Sequence, residues 1–166
     1  MDVSIGPVGP SRYEELGEIT AQAYLGDGLL DFGDEDPYLE QLRAIGRRAA
    51  EAEVLAASDA GGRLLGGVTY VPPGSPWADI ARSGEAEFRM LAVASGARGR
   101  GTGEALVRAC VERARAAGLS RIVLSTHPAM LGAHRLYARL GFVRTPERDW
   151  NPLPGRPALL TYQLDL

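Results

Sequence analysis

No lysine occurs anywhere in the chain: all 18 basic residues are arginine. A protein of this composition offers no side-chain amine of its own for acylation. There is one cysteine, Cys110, so no intramolecular disulfide can form and a cysteine-built zinc site is not expected. Two histidines with no nearby carboxylate cluster make a poor metal site, and no metal is expected. Basic surplus is also missing. The net charge is -3, the wrong sign for a nucleic-acid binder, and no nucleic-acid partner is expected. No stretch approaches the roughly 20 apolar residues of a membrane span, and no membrane association is expected. The first residues, MDVSIGPVGP, carry neither a basic start nor a long apolar run, so a cytoplasmic location is expected.

What is present is an ordinary globular composition, 45% hydrophobic and 23% charged over 166 residues. That suits one domain spanning 1–166. Patterning predicts a strand over 3–8, a helix from Pro10-Ser11 to about Tyr24, and a Gly/Asp-rich loop over 26–36. A second helix is predicted over about 37–50. Strands at 54–58 and 64–71 flank Asp59-Ala60-Gly61-Gly62-Arg63, a hairpin signal. A strand over about 87–93 precedes a glycine-rich turn. The clearest helix follows, about 102–117, with Leu106, Val107, Cys110, Val111, Ala114 and Ala117 on one stripe. Then come a strand at 121–125, a helix over about 130–140, a strand from Phe142-Val143, a proline-rich loop, and a last strand at about 158–165. This order fits an α/β (α+β mixed) fold: one mixed, mostly antiparallel sheet of about seven strands with helices on both faces.

The turn Arg98-Gly99-Arg100-Gly101-Thr102-Gly103 lies between a strand and a helix. Unpaired amides and partial positive charge at a helix start suit an anion, and glycines let a phosphate approach the backbone. A dinucleotide fingerprint requires another glycine three residues after Gly101, where Glu104 stands. A P-loop requires a lysine, and none exists. The pattern Arg/Gln-x-x-Gly-x-Gly/Ala, which takes the pyrophosphate of coenzyme A, fits at every specified position.

With Leu91-Ala92-Val93 upstream and Leu106 downstream, this segment resembles the coenzyme-A motif of the GNAT acetyltransferase superfamily. Ala133-His134-Arg135-Leu136-Tyr137-Ala138-Arg139-Leu140-Gly141-Phe142 resembles its second signature, Ala-x-x-Leu-Tyr-x-x-x-Gly-Phe. The resemblance implies a sheet in which two parallel strands splay apart and admit the pantetheine arm. It implies that the backbone of Leu91, Ala92 and Val93 pairs with pantetheine amides. It also implies that Arg98, Gly99, Arg100, Gly101, Thr102 and Gly103 hold the pyrophosphate of acetyl-CoA. One position departs: where many members carry Asn, this chain has Met130.

Transfer of acetyl to an amine needs a base or a water chain to take its proton, because an alkyl ammonium has a pKa of about 10.4. It also needs a proton donor for the leaving thiolate. The resemblance puts Tyr137 beside the cofactor sulfur as that donor; the competing reading is a core tyrosine on an apolar stripe. Glu87 stands where lysine-acetylating members carry a glutamate base. Strand alternation is expected to put Glu87, Arg89, Leu91 and Val93 on one face. The competing readings are an exposed strand-end charge or a partner for Arg89. Glu85 and His127 are weaker substitutes. Cys110 is expected to be packing, and His134 to be solvated.

The expected activity is N-acetyltransfer from acetyl-CoA to a primary amine by direct attack in a ternary complex. The alternative is a non-catalytic acyl-CoA-binding sensor or scaffold. The acceptor is a small-molecule or peptide amine. Asp27, Asp31, Asp34, Glu35 and Asp36 form an acidic loop that would favour a cation, or else lie solvated. Trp77 and Trp150 either wall the acceptor pocket or pin their loops. Relatives in this superfamily are often dimers, so a homodimer is possible on that resemblance.

Overall fold

The computed structural model describes residues 2–166. Seven strands form one sheet in the order β1-β2-β3-β4-β5-β7-β6. They are β1 (Ser4–Pro7), β2 (Glu53–Ser58), β3 (Leu64–Val71), β4 (Glu85–Val93), β5 (Arg121–Thr126), β6 (Val143–Arg144) and β7 (Leu160–Asp165). Among the described residues only β4 and β5 run parallel. The helices are α1 (Tyr13–Gly26), α2 (Tyr38–Arg43), α3 (Ile45–Glu51), α4 (Thr102–Ala116) and α5 (Leu131–Arg139). The expected architecture is therefore the observed one, with β6 reduced to two residues.

Each face of the sheet has its own core. On one, the apolar stripe of α4 (Leu106, Val107, Cys110, Val111, Ala114) packs on Val68, Phe88, Ile122 and Leu124, and Tyr137 of α5 joins them. On the other, Leu16 and Ile45 meet Val54, Ala56 and Leu64, while Ala21, Leu39 and Leu42 surround Met90. An apolar strand alternating between two covered faces explains why all eight residues of β3 are buried.

The helix predicted over 37–50 is two helices. Ala44 leaves helical space with φ -80° and ψ 58°. Arg48, 1% exposed, donates to the freed carbonyls of Gln41 and Leu42 and to Thr69 Oγ1 on β3. A buried cation at the end of α2 thus takes the carbonyls that a continuous helix would have used internally. The break also lets Arg43 cross α1 closely. A Cβ on Gly17 would lie 2.7 Å from the Arg43 carbonyl oxygen.

Two irregularities in β4 shape everything that follows. Its parallel pairing with β5 stops at Phe88↔Leu124, yet β4 runs on to Val93, so the strands splay beyond that point. A bulge at Met90, which has φ 57°, adds one residue to β4 against β3. Just beyond it on β3, Gly66 pairs with Val93, and a Cβ there would sit 2.3 Å from the Ala92 carbonyl oxygen, so only glycine admits this backbone. Met90 is held in this strained conformation by burial against α1 and α2.

The bulge corrects the expected alternation. Glu87 and Arg89 face the α1–α2 side, where Arg89 meets Tyr38, whereas Leu91 and Val93 pack on the α4 side. The extra residue reverses the pleat between the two pairs.

Candidate active site

The splay opens a cleft of about 530 Å³ between α1, the end of β4, the start of α4 and the start of α5. Eight of the nine residues expected to bind cofactor line it: Leu91, Ala92, Val93, Arg98, Gly99, Gly101, Thr102 and Gly103. Arg100 is the ninth; it is exposed and does not line the cleft.

The local chemistry of the glycine turn fits an anionic ligand. Gly99 and Gly101 have φ of 76° and 78°, so the chain turns into α4 through a left-handed N-cap that carries no side chain. No side chain caps α4, and its first-turn amides meet the cleft wall. Thr102 Oγ1 is buried in that wall without a hydrogen-bond partner among the described residues. Arg98 is already engaged: its guanidinium grips both oxygens of Asp27 at 2.9 Å, from the end of α1.

A second cavity, about 500 Å³, lies on the other side of β4. Tyr24, Leu29 and Met130 line both cavities, so the two meet there. Asp79, Arg89, Ser125, His127, Trp150 and Arg156 form much of the second wall. Trp150 is thus a wall residue, fixed by donating to Ser125 Oγ at 2.9 Å. Trp77 pins its loop instead: its indole donates to Glu51 and the Arg89 guanidinium lies 5.8 Å from its ring.

The acidic loop does not present five free charges. Asp27 is held by Arg98, and Asp31 is paired with Arg156 at 2.8 Å. Asp36 is buried, accepting from the amides of Phe32 and Tyr38. Only Asp31 and Asp36 of the five reach the second cavity.

Glu87 is fully buried. One carboxylate oxygen accepts the amides of Asp79, Ile80 and Ala81, each at 3.0 Å. The other has no hydrogen-bond partner among the described residues. Burial pushes this carboxyl above the usual range, against the pull of the Ile80 and Ala81 amides. Glu87 lines neither cavity. Glu85 is consumed by Arg148 (3.0 and 3.1 Å), Arg121 (3.1 Å) and the Arg82 amide. Despite its burial, these partners hold it below the usual range.

Tyr137 lies one turn after Ala133, a cleft residue, but is itself buried and lines neither cavity; its ring is 5.8 Å from Phe88, where the strand pairing ends. Phe142 and Tyr162 complete an aromatic cluster around it. Burial raises its pKa, so the phenol keeps its proton at neutral pH. Cys110 is fully buried in the α4 stripe, and burial pushes its thiol up as well, which leaves packing as its role.

His134 is not solvated as expected. It is half-buried, with Nε2 3.1 Å from the His127 carbonyl, and desolvation lowers its pKa. His127 accepts the Ala129 amide at Nδ1. That contact occupies the Nδ1 lone pair.

Sequence reasoning missed Asp79, Tyr24, Tyr38 and Arg156 as cavity residues. Asp79 and Arg156 sit in proline-rich loops without periodicity, and no local signal marks them. The two tyrosines flank the acidic loop, a signal too weak to use alone.

Comparison with known proteins agrees with this geometry. The chain is 41% identical over 69 residues to N-acetylaspartate synthetase of Danio rerio, a match covering 42% of this chain and 24% of that one. It is 34% identical over 111 residues to N-acetyltransferase 8B of Rattus norvegicus, covering 63% and 48%. The chain thus spans less than half the length of either relative. Among solved structures, the phosphinothricin acetyltransferase of Sinorhizobium meliloti, in complex with acetyl-CoA, superimposes with a TM-score of 0.74 at 19% identity. That match covers 100% of this chain and 89% of the other. Among the described residues no helix is long and apolar enough to cross a membrane. Residues 14–142, which carry both signatures and the splayed strands, match the model of the acetyltransferase (GNAT) family, and the chain belongs to that family.

Proposed function

We propose that this protein transfers an acetyl group from acetyl-CoA to a primary amine by direct attack within a ternary complex. The observation that carries the reading is the meeting of two cavities at Tyr24, Leu29 and Met130, one walled by the glycine turn and the other by charged and aromatic side chains. A thioester in the first and an amine in the second would come together there without an acyl-enzyme. Cys110, buried in the core with a raised pKa, supplies no nucleophile for one.

Acetyl-CoA supplies the activated acyl group. In this reading the amides of residues 98–103 hold its pyrophosphate, using the uncapped start of α4. The backbone of Leu91, Ala92 and Val93, free of β5, pairs with the pantetheine arm. Tyr137 gives its phenolic hydrogen to the departing thiolate. The acceptor is a small-molecule or peptide amine. The relatives' names include an N-acetylaspartate synthetase and a phosphinothricin acetyltransferase, so amino acids belong in the first screen.

The test is thermal unfolding with and without acetyl-CoA, followed by thiol release against L-aspartate, glycine, spermidine and short peptides. A ligand at a hundred times its Kd adds about 2.7 kcal/mol to the native state. A thermal shift with thiol release supports the enzyme. A shift with no release from any amine favours a binding module. No shift at saturating acetyl-CoA removes the reading.

A further inference from the structure

An ammonium must lose a proton to become a nucleophile, and the group that takes it must stand on the wall of the second cavity. Its arginines aside, the ionisable groups on that wall are Tyr24, Asp31, Asp36, Tyr38, Asp79 and His127. Asp36 is buried, with its oxygens on the amides of Phe32 and Tyr38. Asp31 is the more exposed carboxylate, 42% at the side chain against 28% for Asp79, and the more tightly paired, 2.8 Å from Arg156 Nε against 3.2 Å between Asp79 and Arg89 Nε. His127 accepts an amide at Nδ1 and has no free lone pair. Burial pushes the Tyr24 phenol up, so it is no base at neutral pH, and the Tyr38 hydroxyl accepts from Arg89 Nη2 at 3.2 Å. Glu87 does not reach the cavity at all.

Asp79 remains. Its carboxylate lines the cavity with the side chain 28% exposed, 3.2 Å from Arg89 Nε. Arg89 is itself fixed, donating to the Trp77 carbonyl at 3.0 Å and the Tyr38 hydroxyl at 3.2 Å. The loop beneath is clamped from both sides. Glu87 accepts the amides of residues 79–81, Asp79 included, and Arg148 donates to the Ile80 carbonyl at 2.6 Å.

We propose that Asp79 is the catalytic base of this enzyme, and that Glu87 is a positioning residue that holds the Asp79 loop. The inference rests on the acetyltransferase reading above. The acceptor enters as an ammonium against the Asp79 carboxylate. One of its protons passes to Asp79 as the nitrogen attacks the acetyl carbonyl and the C–N bond forms. The C–S bond then breaks, a second N–H proton leaves with the thiol product by way of Tyr137, and Asp79 returns its proton to water. Acetyl-CoA and ammonium thus give amide, free thiol and one released proton.

The charged and titratable groups facing Asp79 are Arg89 and Glu87 from β4, Tyr38 from α2, and Arg148 beyond the Ile80 carbonyl. Partial burial raises the Asp79 pKa and Arg89 opposes the rise, which makes the carboxylate a better proton acceptor than a surface one.

The experiment compares wild type, Asp79→Asn and Glu87→Gln, using the amine from the panel that releases thiol fastest. Thermal shift with acetyl-CoA comes first, since Asp79 lies outside the cofactor cleft and its variant should bind as wild type does. Wild-type kcat/KM should be flat from about pH 7 to 9 and fall in acid as Asp79 is protonated. Asp79→Asn should lose about 100-fold at pH 7. Its kcat/KM should rise tenfold per pH unit toward the amine pKa, because only amine that is already neutral reacts. Glu87→Gln keeps the flat profile with a lower kcat. Asp79→Asn within threefold of wild type, or a flat profile for it, overturns the inference. So does a tenfold-per-unit slope that appears in Glu87→Gln and not in Asp79→Asn. Wild type that binds acetyl-CoA yet releases no thiol removes the acetyltransferase reading, and the inference with it.

Discussion

Gly103 separates the demands of folding from those of the ligand. It is the second residue of α4, and a Cβ built there would lie 3.6 Å from Leu136 Cδ2 and 3.8 Å from Val93 Cγ2, ordinary contact distances. The protein therefore has room for alanine, and helical propensity favours it by about 0.5–1 kcal/mol. For a domain of this size that is about 1–4 °C in Tm. The same Cβ projects into the cleft wall, where the backbone must approach a pyrophosphate closely. A tenfold weaker Kd would cut the stabilisation by acetyl-CoA from about 2.7 kcal/mol to about 1.4 kcal/mol at the same concentration. Gly103→Ala should thus melt higher than wild type alone and gain less from the ligand. Differential scanning fluorimetry at several acetyl-CoA concentrations reads both. A variant whose ligand shift equals that of wild type refutes the placement of the pyrophosphate at this turn.

Three further outcomes follow from other parts of the molecule. Asp27→Asn releases Arg98 and removes a carboxylate from the cleft, so acetyl-CoA should bind several-fold tighter at low salt and the gain should shrink at high salt, as titration calorimetry would report. Arg48→Ala removes the buried donor shared by the Gln41 and Leu42 carbonyls and Thr69 Oγ1 and should cost about 3 kcal/mol, measured by urea unfolding, with Arg48→Met costing less because it keeps the volume. Asp149 is held down to about 2 by the Arg144 fork and the Thr161 amide and hydroxyl. Its native pKa lies below the unfolded one, so its contribution is full above about pH 4 and is lost as pH falls toward 2. After solvent screening that contribution is about 1 kcal/mol. Asp149→Asn should therefore be less stable at pH 7 and converge with wild type near pH 2.

Where local pattern determined the structure, the sequence could be read closely. The α4 stripe, its glycine stop and the turn before it are all encoded within 20 or so consecutive residues, and they appear where expected because each uses only its neighbours in the chain. The hairpin of β2 and β3 is legible for the same reason. The break at Ala44 is not, because its cause is Arg48 reaching β3. The bulge at Met90 had a faint mark, the pair Gly66-Gly67 inside an apolar strand, but the mark lies on the partner strand and not on the bulged one.

Glu87 shows what this means for assigning chemistry. Its offset from Leu91 matches the family's glutamate, and that offset counts residues along a strand without regard to how the strand's neighbours are arranged. Here the loop over 79–81 folds down so that three amides converge on the Glu87 carboxylate and wall it off. The same three bonds fix the backbone from which Asp79 reaches the cavity. A motif thus carries a residue type to a place in the fold, while the role depends on which backbone amides and cations stand around it. The slope of the pH profile distinguishes the two carboxylates directly, because only the one that meets the acceptor can leave the reaction waiting for neutral amine when it is replaced.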